Sequence, residues 1–173
     1  MQSIKIILMS IMAAILYGIA LDQVTARICL EYFTIGHPPL IPTRDPTLLA
    51  IAWGVVASWW VGGMLGVALA IAARAGRRPR RNARSLVRPI AILMIVSACG
   101  ALLSGVGGWL AAQANWIWLV EPMASRVPPE KHVAFLADGA AHLTSYGVGF
   151  VGGLVLVVLI WRSRRVREMS ANA

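Results

Sequence analysis

RAGRRPRRNARSLVR, residues 74–88, contains seven arginines and no acidic residue, and a long apolar segment lies on either side of it. Short loops rich in arginine stay on the cytoplasmic side of a membrane. We therefore expect this basic loop to be cytoplasmic. Its position then orients the remaining segments and places nearly all carboxylates and all three histidines on the opposite, outer side.

The composition is typical of a membrane protein. Of 173 residues, 58% are hydrophobic and 13% are charged, whereas soluble domains have about 45–50% and about 25%. The net charge of +9 is concentrated, because the basic loop and the tail from Arg162 to Arg167 hold eleven of the sixteen basic residues. Such juxtamembrane clusters bind anionic lipid head groups. We expect the basic loop to contact the surface of the lipid bilayer, and we expect no nucleic-acid partner.

Four segments are long enough to cross the hydrocarbon layer, which needs about 20 helical residues. They lie near residues 6–21, 47–73, 89–112 and 140–161. Helices are required, because an open strand in lipid leaves its backbone polar groups without partners. The sequence predicts an all-α integral membrane four-helix bundle that forms one domain, residues 1–173. Both termini are expected to be cytoplasmic, with outward-facing loops at residues 22–46 and 113–139.

The loop sequences give further helix signals. Residues 22–35 contain no proline or glycine, so they either extend the first span or lie along the interface. Pro128-Pro129-Glu130 places proline and an acid in a first helical turn, which predicts a helix that leads into the fourth span. The first apolar segment is interpreted as a retained span rather than a cleaved signal peptide, since it completes an even number of spans.

Small residues recur at four-residue spacing in three spans: Gly62 and Gly66; Gly100, Ser104 and Gly108; Gly149 and Gly153. This pattern lets helix backbones approach closely in lipid. It therefore favours a tightly packed bundle over a transport hinge. Trp59 and Trp60 lie deep in the second span, and we expect them to fill the space opposite its glycines.

A candidate site lies among the outer polar residues. In a helix, Asp138 and His142 are four residues apart and share one face. His142 would lie at or just inside the membrane boundary, where an ionisable residue is a functional candidate by default. Glu31 and His37 can join them if the chain turns at Gly36-His37-Pro38.

Carboxylates and histidines from neighbouring helices of a bundle suit a divalent transition metal. The sequence thus predicts a site for one divalent metal ion, zinc, iron or manganese, with Glu31, His37, Asp138 and His142 as ligands. Asp22 and His132 are second-tier candidates.

Simpler interpretations of these residues stay open. Glu31 lies four residues after Arg27, so a helical ion pair accounts for it without metal. Asp138 can orient His142, and His37 can be an ordinary loop histidine. Catalytic residues stay unassigned, because the chain has no nucleophile elbow, phosphate loop or Cys-x-x-Cys pair. Cys29 and Cys99 are expected at different depths and therefore not in a disulfide.

The segment DQVTARICLEYFTIGHPP, residues 22–39, resembles a family of small four-span bacterial inner-membrane proteins with the motif D-Q-x-T-A-R-x-C-x-E-Y-F-T-I-G-H-P and no assigned activity. The resemblance covers most of the chain, including the basic loop and residues 138–142. It implies a multi-pass protein of the bacterial cell inner membrane, and it implies no catalytic residue.

Two hypotheses of function follow. In the first, an outward-facing acid/histidine site, loaded with metal, activates water or a small substrate. In the second, the chain is a non-enzymatic small subunit or assembly factor of a membrane complex, or a homo-oligomer. Under the second hypothesis the faces of Gly149 and Gly153 pack against the membrane-protein partner.

Overall fold

The computed structural model describes the backbone of residues 1–171 and the side chains of residues 1–164. Of the predicted basic tail, the side chains of Arg165 and Arg167 lie outside the described part. The described residues form six α-helices and no strand: α1 (Gln2–Ile28), α2 (Leu30–Thr34), α3 (Pro46–Arg74), α4 (Val87–Gln113), α5 (Met123–Arg126) and α6 (His132–Ala171). Two short 3₁₀ segments, Ala83–Leu86 and Pro129–Lys131, precede α4 and α6.

Four of the helices, α1, α3, α4 and α6, are long and apolar enough to cross a membrane. The prediction of an all-α bundle of four membrane-spanning helices is confirmed. The helices run past the predicted spans, since α1 continues to Ile28 and α6 begins at His132. Hydropathy marks only the apolar part of a helix, whereas backbone hydrogen bonding continues through polar residues until the chain breaks.

The ends of α1 and α3 have local causes. Cys29 is extended, with a φ of −142°, so α1 stops there and the short α2 follows in a new direction. Asp45 caps α3 by accepting a hydrogen bond from the Leu48 backbone N–H at 2.8 Å, and Pro46 occupies the first turn, where proline is favoured. The helix start predicted at Pro128-Pro129-Glu130 is also present, as the 3₁₀ segment Pro129–Lys131 that leads into α6.

The helices form two antiparallel pairs. The first pair is α1 with α3, the second is α4 with α6, and the pairs meet through α3 against α6 and α1 against α4. The Gln2 side chain accepts a hydrogen bond from the Ala83 N–H at 3.1 Å, so the N-terminus and the basic loop lie at the same end of the bundle. We call this the basic end, and the opposite end, which holds His37 and His142, the histidine end.

Close backbone contact joins α1 and α3. A Cβ built on Gly62 would lie 2.7 Å from the Ile11 Cα, and one built on Gly66 would lie 2.7 Å from the Ile7 Cα. The expected close packing at these two glycines is confirmed. The expectation for Trp59 and Trp60 is wrong: they are 53% and 46% exposed on the outside of the bundle, because the adjoining backbones leave no space to fill.

The second pair also packs closely, since a Cβ built on Gly108 would lie 2.8 Å from the Ala140 Cβ, and it uses hydroxyl groups. The Ser104 hydroxyl donates to the Ala140 carbonyl at 3.0 Å and accepts from the Thr144 hydroxyl at 2.7 Å. Gly149 has open space where a Cβ would be, and Gly153 is buried and faces the Leu65 side chain at 3.3 Å. Gly153 therefore faces inward, and so does Gly149, which lines a space between the helices.

One buried arginine closes the basic end. The Arg164 side chain is fully buried, and its guanidinium donates to four carbonyl oxygens at 2.8–2.9 Å: those of Ala72, Ala75, Arg78 and Pro79. These carbonyls belong to the last turn of α3 and the loop that follows, where the helix leaves its own acceptors unsatisfied. Arg164 thereby ties α6 to the end of α3.

The α1–α3 contact predicts a difference between adjacent glycines. We expect Gly62→Ala to lower the free energy of unfolding by about 1–3 kcal/mol, the usual cost of overpacking. Gly63→Ala should be neutral or slightly stabilising, because its Cβ would lie 4.0 Å from the nearest Ile11 atoms. Reversible unfolding in mixed detergent micelles measures both variants. Equal effects would contradict the packing described here.

The capping of α3 by Arg164 predicts a second pair of outcomes. Arg164→Gln should lower the free energy of unfolding by about 1–3 kcal/mol, because buried carbonyl acceptors lose their donor. Arg162→Gln is the matched control, since Arg162 is exposed. Thermal unfolding of the detergent-solubilised protein measures both. An unchanged midpoint for Arg164→Gln would show that the guanidinium contributes nothing to stability.

Candidate functional site

A cavity of about 110 Å³ lies between the helices towards the histidine end. Helices α1, α2, α3, α4 and α6 all contribute to its wall, together with His37 from the loop after α2. The polar residues of the wall include Asp22, Tyr32, Ser97 and His142. Three predicted site residues, Asp22, His37 and His142, thus line one space.

The helical register places Asp22 and His142 in this wall. Ser10, Ala14, Gly18 and Asp22 are all buried and follow at four-residue spacing on α1, so Asp22 continues the inward face of the helix. On α6, Ser145 and Gly149 line the cavity with His142. The spacing of three and four residues keeps them on one face.

Asp22, Thr25 and His142 form a polar contact between α1 and α6. The Thr25 hydroxyl donates to the Leu21 carbonyl at 3.2 Å, and its oxygen lies 3.2 Å from the His142 Nε2. A hydroxyl can donate and accept, so the tautomer of His142 decides which group donates in this contact. The same nitrogen lies 3.8 Å from the Asp22 Oδ1. His142 is thus held between the Thr25 hydroxyl and a buried carboxyl group.

Aromatic rings surround the two histidines. The Tyr32 ring centroid lies 4.9 Å from that of His142, nearly parallel to it, and 4.9 Å from that of His37, edge to face. The Trp53 ring centroid lies 4.9 Å from that of His37. The Tyr32 carbonyl accepts a hydrogen bond from the His37 Nδ1 at 2.7 Å, so the His37 Nε2 is left as an acceptor. Burial raises the pKa of the Tyr32 hydroxyl.

Two polar atoms of cavity-lining residues have no hydrogen-bond partner within the described part of the chain. They are the Trp53 Nε1 and the Ser97 Oγ, both buried. Buried polar atoms without partners are rare in native proteins. Both atoms are shielded from the cavity as well as from solvent, so they lie within its packed wall.

The remaining predicted residues lie outside this lining. Glu31 accepts a hydrogen bond from the Cys29 thiol at 3.6 Å, and His132 donates to the Val127 carbonyl at 2.9 Å. Asp138 is 1% exposed, and its Oδ2 has no partner among the described residues. Arg27 donates to Gln23 and Thr47 rather than pairing with Glu31.

The histidine end does not bring the predicted metal ligands into one group. Over the residues that the structure describes, no three side chains from His, Cys, Asp or Glu are grouped so that they could hold a metal ion. The two loops of this end do meet, because Cys29 and Phe135 pack in one buried cluster with Val127. Their contact is apolar and is formed by residues outside the predicted site.

Several residues that line the cavity or contact its lining are absent from the predicted site. Thr25 and Ser145 each follow a predicted residue by three positions, so helical spacing could have identified them. Tyr17 donates to or accepts from the Ser145 hydroxyl at 2.7 Å, and Trp53 contacts His37 from another helix. Nothing local in the sequence marks Tyr17 or Trp53.

Comparison of the chain with protein families, curated proteins and solved structures gives no match. The geometry of the cavity is therefore the basis for the function proposed for this protein.

The buried thiol beside the site predicts a chemical behaviour. Burial raises the pKa of Cys29 to about 11, so the thiolate, which is the reactive form, is scarce at neutral pH. In a Cys99→Ser background, we expect N-ethylmaleimide to leave Cys29 unmodified at pH 7.5 and to label it fully after denaturation. Intact-mass spectrometry measures the modification. Rapid labelling of the folded protein would mean that Cys29 is accessible and reactive.

Proposed function

We propose that this protein is a multi-pass inner-membrane protein that binds a small molecule in the cavity at its histidine end. The observation that carries the proposal is the cavity itself, whose wall brings Asp22, His37 and His142 together with aromatic rings. Concave and mostly apolar sites with a few convergent polar groups are typical of small-molecule binding. The preferred ligand is therefore largely apolar, with one polar group directed to Asp22 and His142.

The size and walls of the cavity favour a single planar ring. A cavity of about 150 Å³ accommodates one benzene molecule, and this cavity is smaller, about 110 Å³. Tyr32, Phe33 and Trp53 line it, and aromatic faces stack on planar groups. Asp22 and His142 form a polar side of this aromatic pocket. A compound no larger than one small ring, with a polar substituent, meets these requirements.

We further propose that the basic end is cytoplasmic, with both termini on that side, so that the cavity lies towards the outer face of the membrane. The support is the basic loop, where Arg77, Arg80, Arg84 and Arg88 are exposed. Exposed arginines of a short loop favour retention on the cytoplasmic side. They are also available to anionic lipid head groups.

A divalent metal is the second candidate ligand, favoured by one distance. Asp22 Oδ1 and His142 Nε2 lie 3.8 Å apart and are suitable ligand types. Two protein ligands leave most of the coordination to water, and His142 would have to give up its contact with the Thr25 hydroxyl. The organic ligand leaves that contact in place. The subunit hypothesis would apply if the cavity binds nothing.

Blocking the cavity tests the proposal. Gly149 lines the cavity and Gly147 faces outward on the same helix, and a Cβ on either meets no atom within 4 Å. We expect a small molecule to co-purify with the wild type and with Gly147→Leu, and its occupancy to fall at least tenfold in Gly149→Leu. Native mass spectrometry from detergent measures occupancy, and thermal unfolding confirms that both variants fold.

Metal analysis of the same preparations separates the two candidates. Near-stoichiometric zinc, iron or manganese that His142→Ala removes would replace the organic ligand with the metal. Equal occupancy in the Gly147 and Gly149 variants would overturn the cavity as the binding site. The absence of both a ligand and a metal in the wild type would favour the subunit hypothesis.

A further inference from the structure

The basic end carries positive charge that no described acidic residue balances. The seven arginines of the basic loop lie there, together with Lys5, Arg162 and Arg164. The Asp and Glu residues within residues 1–164 all lie towards the histidine end: Asp22, Glu31, Asp45, Glu121, Glu130 and Asp138. Charge of one sign on one surface attracts ligands of the opposite sign. The basic end therefore favours an anionic ligand.

Two arginines fasten the basic loop to α6. Arg164 of α6 donates to the carbonyl oxygens of Arg78 and Pro79 at 2.8 and 2.9 Å. Arg81 of the loop donates in the other direction, to the Ser163 hydroxyl of α6 at 2.9 Å. The loop backbone from Arg78 to Arg81 is therefore held against the end of α6, and the side chains that it carries start from fixed positions.

The Arg78 side chain is positioned by an aromatic ring. Its Cζ lies over the Trp161 ring, 4.8 Å from the centroid, and the side chain is half-buried. Within the described part of the chain its guanidinium donates no hydrogen bond, and its contact is with the ring. A planar guanidinium matches the paired oxygens of a phosphate. Arg78 is thus a preorganised phosphate donor whose hydrogen bonds are still to be made.

Trp161 marks the depth of this guanidinium in the membrane. Trp161 ends the apolar part of α6 and is 40% exposed, and tryptophan at such a position lies at the head-group level of a bilayer. Towards the middle of the bundle, Val158 and Leu154 precede it by three and seven residues, share its face and are exposed. A phosphate at Arg78 would thus have an apolar surface beside it, which suits the acyl chains of a phospholipid.

We propose that Arg78 and Trp161 form a binding site for one anionic phospholipid, whose phosphate contacts the Arg78 guanidinium and whose acyl chains lie along the exposed face of α6. Arg77 and Arg162 adjoin the pair in sequence and are exposed, so they favour an anionic over a zwitterionic head group. Retention of the loop on the cytoplasmic side needs only its charge, whereas this site needs the Arg78–Trp161 geometry. It goes beyond the proposed function, because it lies at the opposite end of the bundle from the cavity.

Native mass spectrometry of the detergent-solubilised full chain, titrated with one phospholipid at a time, tests the site. The probes are dioleoyl-phosphatidylglycerol, which is anionic, and dioleoyl-phosphatidylcholine, which has the same chains and a zwitterionic head group. We expect the first phosphatidylglycerol to bind at least fivefold more tightly than the first phosphatidylcholine. Inorganic phosphate in large excess should not displace it, because phosphate alone gains nothing from the apolar face of α6.

Variants matched in charge separate the site from the total charge of the loop. Arg78→Gln should weaken binding of the first phosphatidylglycerol at least fivefold, and Arg84→Gln less than twofold, because Arg84 is exposed on the same loop but is not placed over the ring. Arg78→Lys keeps the charge and loses the planar fork, and Trp161→Leu keeps the charge and loses the ring. Each should weaken binding at least threefold. Thermal unfolding verifies that all four variants are folded.

Three results would overturn the inference. Equal weakening by Arg78→Gln and Arg84→Gln, or wild-type affinity in Arg78→Lys and Trp161→Leu, would mean that the loop acts through its summed charge. Equal affinity for the two lipids would mean that the head-group charge is not recognised. Displacement by inorganic phosphate would make the site one for a free anion. None of these results bears on the cavity, whose ligand the co-purification experiment tests independently.

Discussion

Direct contact between the backbones of α1 and α3 is the constraint on which the rest of the bundle depends. Lipid provides no hydrophobic drive for helix association, so packing contact has to hold the helices together. Gly54, Gly62 and Gly66 of α3 allow that contact. The buried stripe of α1 includes Asp22. The register that closes the pair therefore also directs an acidic side chain into the bundle, where exposure to lipid would be costly.

The polar residues of the histidine end form hydrogen bonds to one another across helices, and these bonds allow the bundle to bury them. Thr25 bonds to His142, and Tyr17 bonds to Ser145, so α1 and α6 are joined although they lie on opposite sides of the cavity. Interhelical hydrogen bonds of this kind contribute modestly in membranes, about 0.6 kcal/mol on average. Their larger effect is positional, since they fix which face of α6 is turned to the cavity.

The fold was largely predictable from hydropathy and the basic loop, because lipid permits few solutions other than helices. The site was less predictable from the sequence. Helical spacing linked Asp138 to His142, yet the partner of His142 is Asp22, on another helix. Residues four apart on one helix are offset by about 40° around its axis, and that offset leaves Asp138 beside the cavity lining. Contacts between α1 and α6 depend on the tertiary arrangement, which no local pattern encodes.

The two ends of the bundle differ in a way that bears on function. At the basic end, Ile6, Leu69, Leu86 and Ile160 form a buried apolar cluster, and Arg164 seals the adjoining loop against α6. This packed core therefore closes the cavity on the side of the basic end. It also blocks a continuous polar path along the bundle. Pores need such a path, whereas binding sites are concave and closed at one end. Because the closed end faces the basic loop, the proposed ligand would have to enter the cavity from a side other than the basic end.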